Sequence, residues 1–319
     1  MIWCLAGLAV LALVLLGVSY GCFRMAFYVP DRENWDPETI ETPEGEIYDP
    51  YRENMEKWIR EARLLPQEHF AIRSFDGLTL RGKFYEYAPG APIELMVHGY
   101  RGTAERDLSG GVQRCLKLGR SALLVDQRAS GSSEGNVITF GIREHRDCLA
   151  WVDFMVSHFG PEVKIILTGI SMGAATVMMA GGEPLPANVT GILADCGYSS
   201  PREIIREVIR QMGLPVGLSY PFVRLGAKLF GGFDLEENSP REAMRRCKVP
   251  VIFFHGDADA YVPCEMSVSC YEACASRKKL VIVSGAGHGL SYPVAPEEYR
   301  AALREFFGPE ASVDNPASL

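Results

Sequence analysis

The chain has 319 residues, a formal charge of −8 and 47% hydrophobic residues. That is enough apolar material for a sizeable core, and at about 150 residues per domain the length allows one large α/β unit or two smaller ones. The acidic balance and the lack of a long Lys/Arg run exclude the electrostatic footprint of a nucleic-acid binder.

The first element breaks with this average. Ile2 to Phe23 contains no charged residue and is rich in Leu, Val and Ala. A bilayer span needs about 20 such residues. The segment 1–23 therefore reads as an uncleaved membrane anchor. A cleaved signal peptide is the rival, but no Lys or Arg precedes the apolar run, its length exceeds a typical signal h-region, and Ser19-Tyr20-Gly21-Cys22 departs from a lipoprotein processing site by carrying Ser, not Leu, three before the Cys. Arg24 and Arg32 flank its C-terminal side. The positive-inside rule then leaves the rest of the chain in the cytoplasm. Nine cysteines without a compact framework fit that reducing compartment. Cys264, Cys270 and Cys274 cluster, but no His stands at ligand spacing, so thiols are favoured over a metal site.

Residues 24–66 read as a linker followed by a short helix over Tyr51–Leu65, with Met55, Trp58, Ile59 and Ala62 at helical spacing. Two strand-like runs, Glu68–Ser74 and Leu78–Tyr87, flank an Asp76-Gly77 turn. From there strands and helices alternate. Strands are predicted at Ile93–Val97, Ser121–Val125, Val163–Thr168, Val189–Ala194, Val249–Phe254 and Lys279–Val283. Helices are predicted at Val112–Leu118, Gly141–His158, Ala174–Ala180 and Glu297–Phe307. Apolar, β-branched strands in this order predict a mostly parallel sheet covered by helices on both faces, within a domain spanning 67–308. The stretch 198–246 exceeds an ordinary crossover of about 10–12 residues and reads as a small helical cap. Its Phe222, Leu225, Leu229, Phe230 and Phe233 either cover a substrate pocket or complete the core. The tail 309–319 reads as flexible.

Chemistry concentrates at Gly169-Ile170-Ser171-Met172-Gly173, between a predicted strand and a predicted helix. A serine on such a turn needs small neighbours, because backbone and helix approach closely there. The helix N-terminus favours developing negative charge. Ser171 is the predicted nucleophile. Of six histidines, His288 in Gly285-Ala286-Gly287-His288-Gly289 lies beyond the last strand, in the chain order nucleophile, acid, base. His98 and His255 each follow a strand and precede Gly, and both read as turn residues. For the acid, Asp257 and Asp259 compete in the turn after Phe254. Asp259 is favoured and Asp257 reads as a brace. Asp195 is an outside candidate whose alternative role is capping before the cap helices. An oxyanion hole is expected from the N–H groups of Met172 and of Tyr100, in the loop His98–Gly102. The loop from Asp126 to Gly135 reads as a hydrogen-bonded buttress, its Ser132 and Ser133 lacking a base.

Taken in order, the His98-Gly99 turn, the Asp126-Gln127-Arg128 loop, Gly-Ile-Ser-Met-Gly, the turn ending at Asp259 and Gly-His-Gly resemble the α/β-hydrolase superfamily over 68–307. Within it the chain is similar to bacterial membrane-anchored hydrolases of the YqkD-like group. The resemblance implies an eight-strand core, a carboxylic-ester or related acyl substrate, and no metal or organic cofactor. The expected reaction is ester hydrolysis through an acyl-enzyme. Amide or peptide cleavage by the same residues is the alternative, and a catalytically vestigial membrane-tethered binding module the third reading. The expected partners are a small acyl substrate and, through the first helix, a membrane.

Overall fold

The structure, a computed structural model, describes residues 2–30, 36 and 38–308. The tail 309–319 and Arg32 lie outside them.

A twisted eight-stranded sheet organises the chain: β1 (Glu68–Arg73), β2 (Thr79–Tyr85), β3 (Ile93–Val97), β4 (Ser121–Val125), β5 (Ile165–Ile170), β6 (Val189–Asp195), β7 (Val251–Gly256) and β8 (Lys278–Val283). The spatial order is β1-β2-β4-β3-β5-β6-β7-β8. The β1–β2 hairpin and the β2–β4 pair are antiparallel, and all later pairs are parallel. The hairpin turns at Asp76-Gly77 as predicted, with Gly77 at φ +90°.

Side chains alternate across the central strands. Leu95, Val97, Val251 and Phe253 face one side, where α4 (Glu144–Phe159), α5 (Met172–Gly181), α8 (Pro240–Met244) and α9 (Cys264–Ala273) pack. Met96, Ile252 and Phe254 face the other, under α2 (Asp49–Leu64), α3 (Ala104–Lys117), α10 (Ser291–Val294) and α11 (Pro296–Phe307). Strands β3 to β7 are buried on both faces along nearly their whole length, which is why they read as continuous apolar runs.

Two helices differ from expectation for identifiable reasons. The predicted helix at Val112 in fact begins at Ala104, capped by the Thr103 hydroxyl, which accepts from the Arg106 N–H at 3.2 Å. Gly110 and Gly111 disguise it. A Cβ on Gly110 would lie 2.6 Å from the Trp58 ring, and one on Gly111 2.1 Å from Met96 Cε. The glycines let α2 and β3 approach. Helix α9 was not predicted, having almost no amphipathic stripe. Its Cys270 and the adjoining Cys274 are buried, and all nine cysteines are free thiols.

Between β6 and β7 lies the cap: α6 (Pro201–Gln211), α7 (Val216–Gly226) continuing into a π-helical turn (Ala227–Gly231), then α8. The first helix, α1 (Ile2–Ala26), is one apolar helix long enough to cross a membrane, and only 6% of its apolar window is buried. It runs three residues past the predicted end at 23, and its last turns are built into the cap. Phe23 and Phe27 share a buried cluster with Ile138, Phe140, Met172, Tyr198, Ile204 and Phe233. Gly226 lies so close that a Cβ there would be 2.4 Å from Ser19 O. The chain then bonds to the loop before α4, through Val29 N–H to Asn136 O and Ile138 N–H to Phe27 O, both 2.8 Å. The predicted linker thus begins as a packed segment.

One charge network sits inside the sheet. Glu94 on β3 is fully buried and accepts from Arg114, from Arg120 (2.8 Å) and from Thr168 Oγ1 (2.9 Å). Burial alone would raise its carboxyl, but the two guanidinium groups outweigh that and hold it well below the usual range. Glu94→Ala leaves both arginines buried without their anion. The expected loss is about 3–5 kcal/mol, read as a lower urea midpoint of the detergent-solubilised chain.

Candidate active site

Strand β5 ends at Ile170 and α5 begins at Met172, so Ser171 is the whole turn between them. Its backbone sits at φ +55°, ψ −117°, a region that L-residues avoid. Tight surroundings hold it there. The Ser171 N–H donates to Asp195 O at 2.8 Å. A Cβ on Gly169 would lie 2.2 Å from Gly173 O, and one on Gly173 2.0 Å from Val97 O. Both glycines are sterically required. The result aims the Ser171 side chain outward at the N-terminus of a wholly buried helix.

Opposite it, the loop after β8 turns through Gly285 (φ +73°) and Gly289 (φ +68°). His288 Nε2 stands 2.9 Å from Ser171 Oγ, and His288 Nδ1 stands 2.7 Å from Asp259 Oδ2. Asp259 Oδ1 accepts the N–H groups of Tyr261 and Val262, both at 2.9 Å. Burial opposes the Asp259 anion. Hydrogen bonds from His255 and His288, with the Val262 N–H, outweigh it and hold the carboxyl well below the usual aspartate range.

Ser171 and His288, with the Asp259 side chain buried behind His288, line a cavity of about 520 Å³ at the carboxyl ends of the parallel strands, beneath the cap. Met172 and Tyr100 both line it. The Gly99 N–H is engaged by Asp107 Oδ2 at 3.0 Å.

No protein-family model matches the chain. It is 26% identical over 304 residues to the uncharacterized protein YqkD of Bacillus subtilis, covering 94% of each chain. Among solved structures, it is similar to an esterase of Pyrococcus furiosus, with a TM-score of 0.64 and 24% identity over 77% of this chain and 92% of that one. The α/β hydrolase GrgF from a Penicillium species gives a TM-score of 0.59 and 20% identity, over 76% of this chain and 98% of that one. The chain has the α/β-hydrolase fold.

Within this α/β-hydrolase fold, Ser171, His288 and Asp259 form one hydrogen-bonded line. Asp257 instead accepts from the Gly285 N–H (2.6 Å) and Ser284 Oγ (3.1 Å), pinning the His288 loop to the β7 turn. Asp195 is neither acid nor cap. Its carboxyl accepts from Ser291 (2.7 Å) and Tyr299 (3.0 Å), tying α10 and α11 beneath the site, while α6 is capped by Ser200. His98 is a buried turn residue. Its Nε2 accepts the Gln127 N–H at 3.0 Å, so Nδ1 carries the proton toward Gly99 O at 2.8 Å. Ser132 and Ser133 both bond Asp126, Ser132 Oγ at 2.9 Å and Ser133 Oγ to the Asp126 carbonyl at 2.6 Å.

Three features escaped the sequence reading. His255 is more than a turn residue: its Nε2 lies 3.2 Å from Asp259 Oδ2 and 2.9 Å from Val262 O, with Nδ1 2.7 Å from Ser267 Oγ. The cap wall of the cavity comes from α6, through Ile204, Ile205, Val208 and Met212. Of the five cap residues named from sequence, Phe233 is buried in the cap cluster, while Leu225, Leu229 and Phe230 are exposed. Cys196 also sits beside the site, with Sγ, an Asp259 oxygen and a His288 nitrogen within 4.8 Å of one another. Burial pushes its thiol well above the ordinary range, so it stays protonated at neutral pH.

The depressed Asp259 has a consequence for stability. Its folded pKa lies below its unfolded one, so ionisation adds stability that is complete above about pH 4 and is lost as pH falls through the folded value. Asp259→Asn removes that contribution. Urea titrations should show the variant less stable than the parent at neutral pH, with the gap narrowing below about pH 4. A gap independent of pH would contradict the assignment.

Proposed function

We propose that this chain is a serine hydrolase that cleaves a carboxylic ester through an acyl-enzyme. The observation that carries the reading is the unbroken line Ser171 Oγ to His288 Nε2 (2.9 Å) and His288 Nδ1 to Asp259 (2.7 Å), on the wall of an apolar-lined cavity.

Ser171 Oγ attacks the acyl carbonyl as its proton passes to His288 Nε2. Asp259, held ionised, fixes the tautomer with Nδ1–H and stabilises the imidazolium. The N–H groups of Tyr100 and Met172 receive the oxyanion, and the α5 N-terminus adds its dipole. His288 then returns the proton to the departing alkoxide. Water repeats the sequence to release the acid and restore Ser171.

Helix α1 tethers this domain to a membrane without being cleaved. Supporting that, Ser19, Phe23 and Phe27 are buried against the cap, a role a removed leader does not have. Arg24 and the nine free thiols favour the cytoplasmic side.

Ser171→Ala should lower turnover of a short aryl ester by on the order of 10³-fold or more and abolish labelling by a fluorophosphonate. Full activity in that variant would refute the assignment. A panel of esters, thioesters and aminoacyl amides ranks the leaving groups.

A further inference from the structure

The end of α1 is part of the cavity wall. Met25 and Ala26 line it together with Tyr100 and Ser171. The last carbonyls of a helix lack intrahelical partners. Here Ala26 O accepts from Tyr100 Oη and Met25 O from Arg101 Nη2, both at 2.9 Å, from the loop beside Ser171. Just before these residues, α1 packs on α7 and its π-helical turn. Gly226 abuts Ser19, and the Phe230 ring meets Tyr20 (5.1 Å) and Phe23 (6.0 Å).

An apolar surface continues from that contact across the cap. Leu218, Leu225 and Leu229 recur at spacings of seven and four along α7 and the turn, and are 65%, 37% and 53% exposed. Phe230, Leu214 and Met212 are exposed as well. The cations of the same segment are drawn off to acids, Arg224 and Lys228 each lying 2.8 Å from Asp234. Met212 and Val208 belong to both surfaces: they line the cavity and are exposed. The rim of the cavity is therefore continuous with the apolar face.

We propose that this cap face lies in the bilayer interface beside α1, and that the cavity takes its substrate, a long-chain acyl ester lipid, from the membrane rather than from water. The substrate half of this proposal rests on the hydrolase reading above. Continuity with α1 selects a bilayer as the occupant. Ser19 to Phe23 close the apolar run of α1, so a span places them where hydrocarbon gives way to headgroups. Helix α7, packed against them, sits at that depth, where interfacial helices bury their apolar faces by about 5–10 Å. The volume of about 520 Å³ and the lining by Met25, Ile204, Ile205, Val208 and Met212 suit an acyl chain.

The test uses the full chain reconstituted in phosphatidylcholine vesicles, with two readouts. In Leu218→Trp, the added fluorescence is quenched by brominated phosphatidylcholine, a result that does not depend on catalysis. In Leu218→Asp/Leu229→Asp, cleavage of a fluorogenic long-chain acyl ester carried in the vesicles falls about tenfold or more, while a water-soluble short aryl ester is cleaved within about twofold of the parent rate. Loss on both esters, loss on neither, or an unquenched tryptophan overturns the proposal. So does a dimer that the double substitution dissociates without any quenching, which would give this face to a second copy. A parent chain inactive on both esters with quenching intact refutes the hydrolase reading and leaves the membrane face standing.

Discussion

The backbone at Ser171 is held where a serine does not rest on its own, and the surrounding architecture answers to that constraint. A positive φ in a residue with a Cβ costs on the order of 1–3 kcal/mol. It persists because the neighbouring backbone leaves no alternative. Gly173 is pressed against Val97 O, and Gly169 against Gly173 itself. Strands β3 and β5 are hydrogen-bonded neighbours, so the clearance is fixed by the sheet and not by a flexible loop. The strain is spent on aim: the hydroxyl leaves the sheet edge facing the loop that carries His288.

That loop comes from 117 residues further along the chain, and its position is determined twice over. Asp257 holds Gly285, and Asp259 holds the imidazole. Asp259 is in turn fixed by two N–H groups of its own turn and by His255, whose other nitrogen reaches Ser267 on α9. A carboxylate with both oxygens satisfied cannot rotate away from His288 without leaving a buried partner unpaired. Asp195 secures the opposite side: its carbonyl takes the Ser171 N–H while its carboxyl holds α10 and α11. The acids flanking the site thus divide the labour by burial and by neighbours, and only Asp259 meets an imidazole that also faces a hydroxyl.

Much of this was legible in sequence, because it rests on local chemistry. Strands buried on both faces announce themselves as apolar runs, and a Gly-x-Ser-x-Gly turn between strand and helix has one steric reading. Chain order singled out His288, and the geometry joins it to Ser171 and Asp259. What escaped depends on contacts between distant segments. Gly110 and Gly111 look like a helix breaker until Trp58 and Met96 are seen to need their space. His255 looks like a turn residue until α9, a helix without an amphipathic stripe, brings Ser267 to it. Which cap helix faces the cavity could not be read: α7 is the more apolar of the two, yet it packs on α1, and the amphipathic α6 turns its Ile204 and Ile205 to the cavity.

That packing bears on how the molecule should be divided. A hydrophobic N-terminal segment invites the view of a tether that can be removed from a self-sufficient domain. Here removal would take Phe23 from the cap cluster, uncover Gly226 and Phe230, and strip Met25 and Ala26 from the cavity wall. It would also leave Tyr100 Oη and Arg101 without the carbonyls they now hold, in the loop next to Ser171. Loss of one buried aromatic from a packed cluster costs about 3–5 kcal/mol. The unpaired donors would perturb that loop. The boundary between the free apolar helix and the α/β-hydrolase fold therefore does not fall at the end of the apolar run. It falls inside α1, several residues earlier, where the helix leaves α7 and no longer touches the fold.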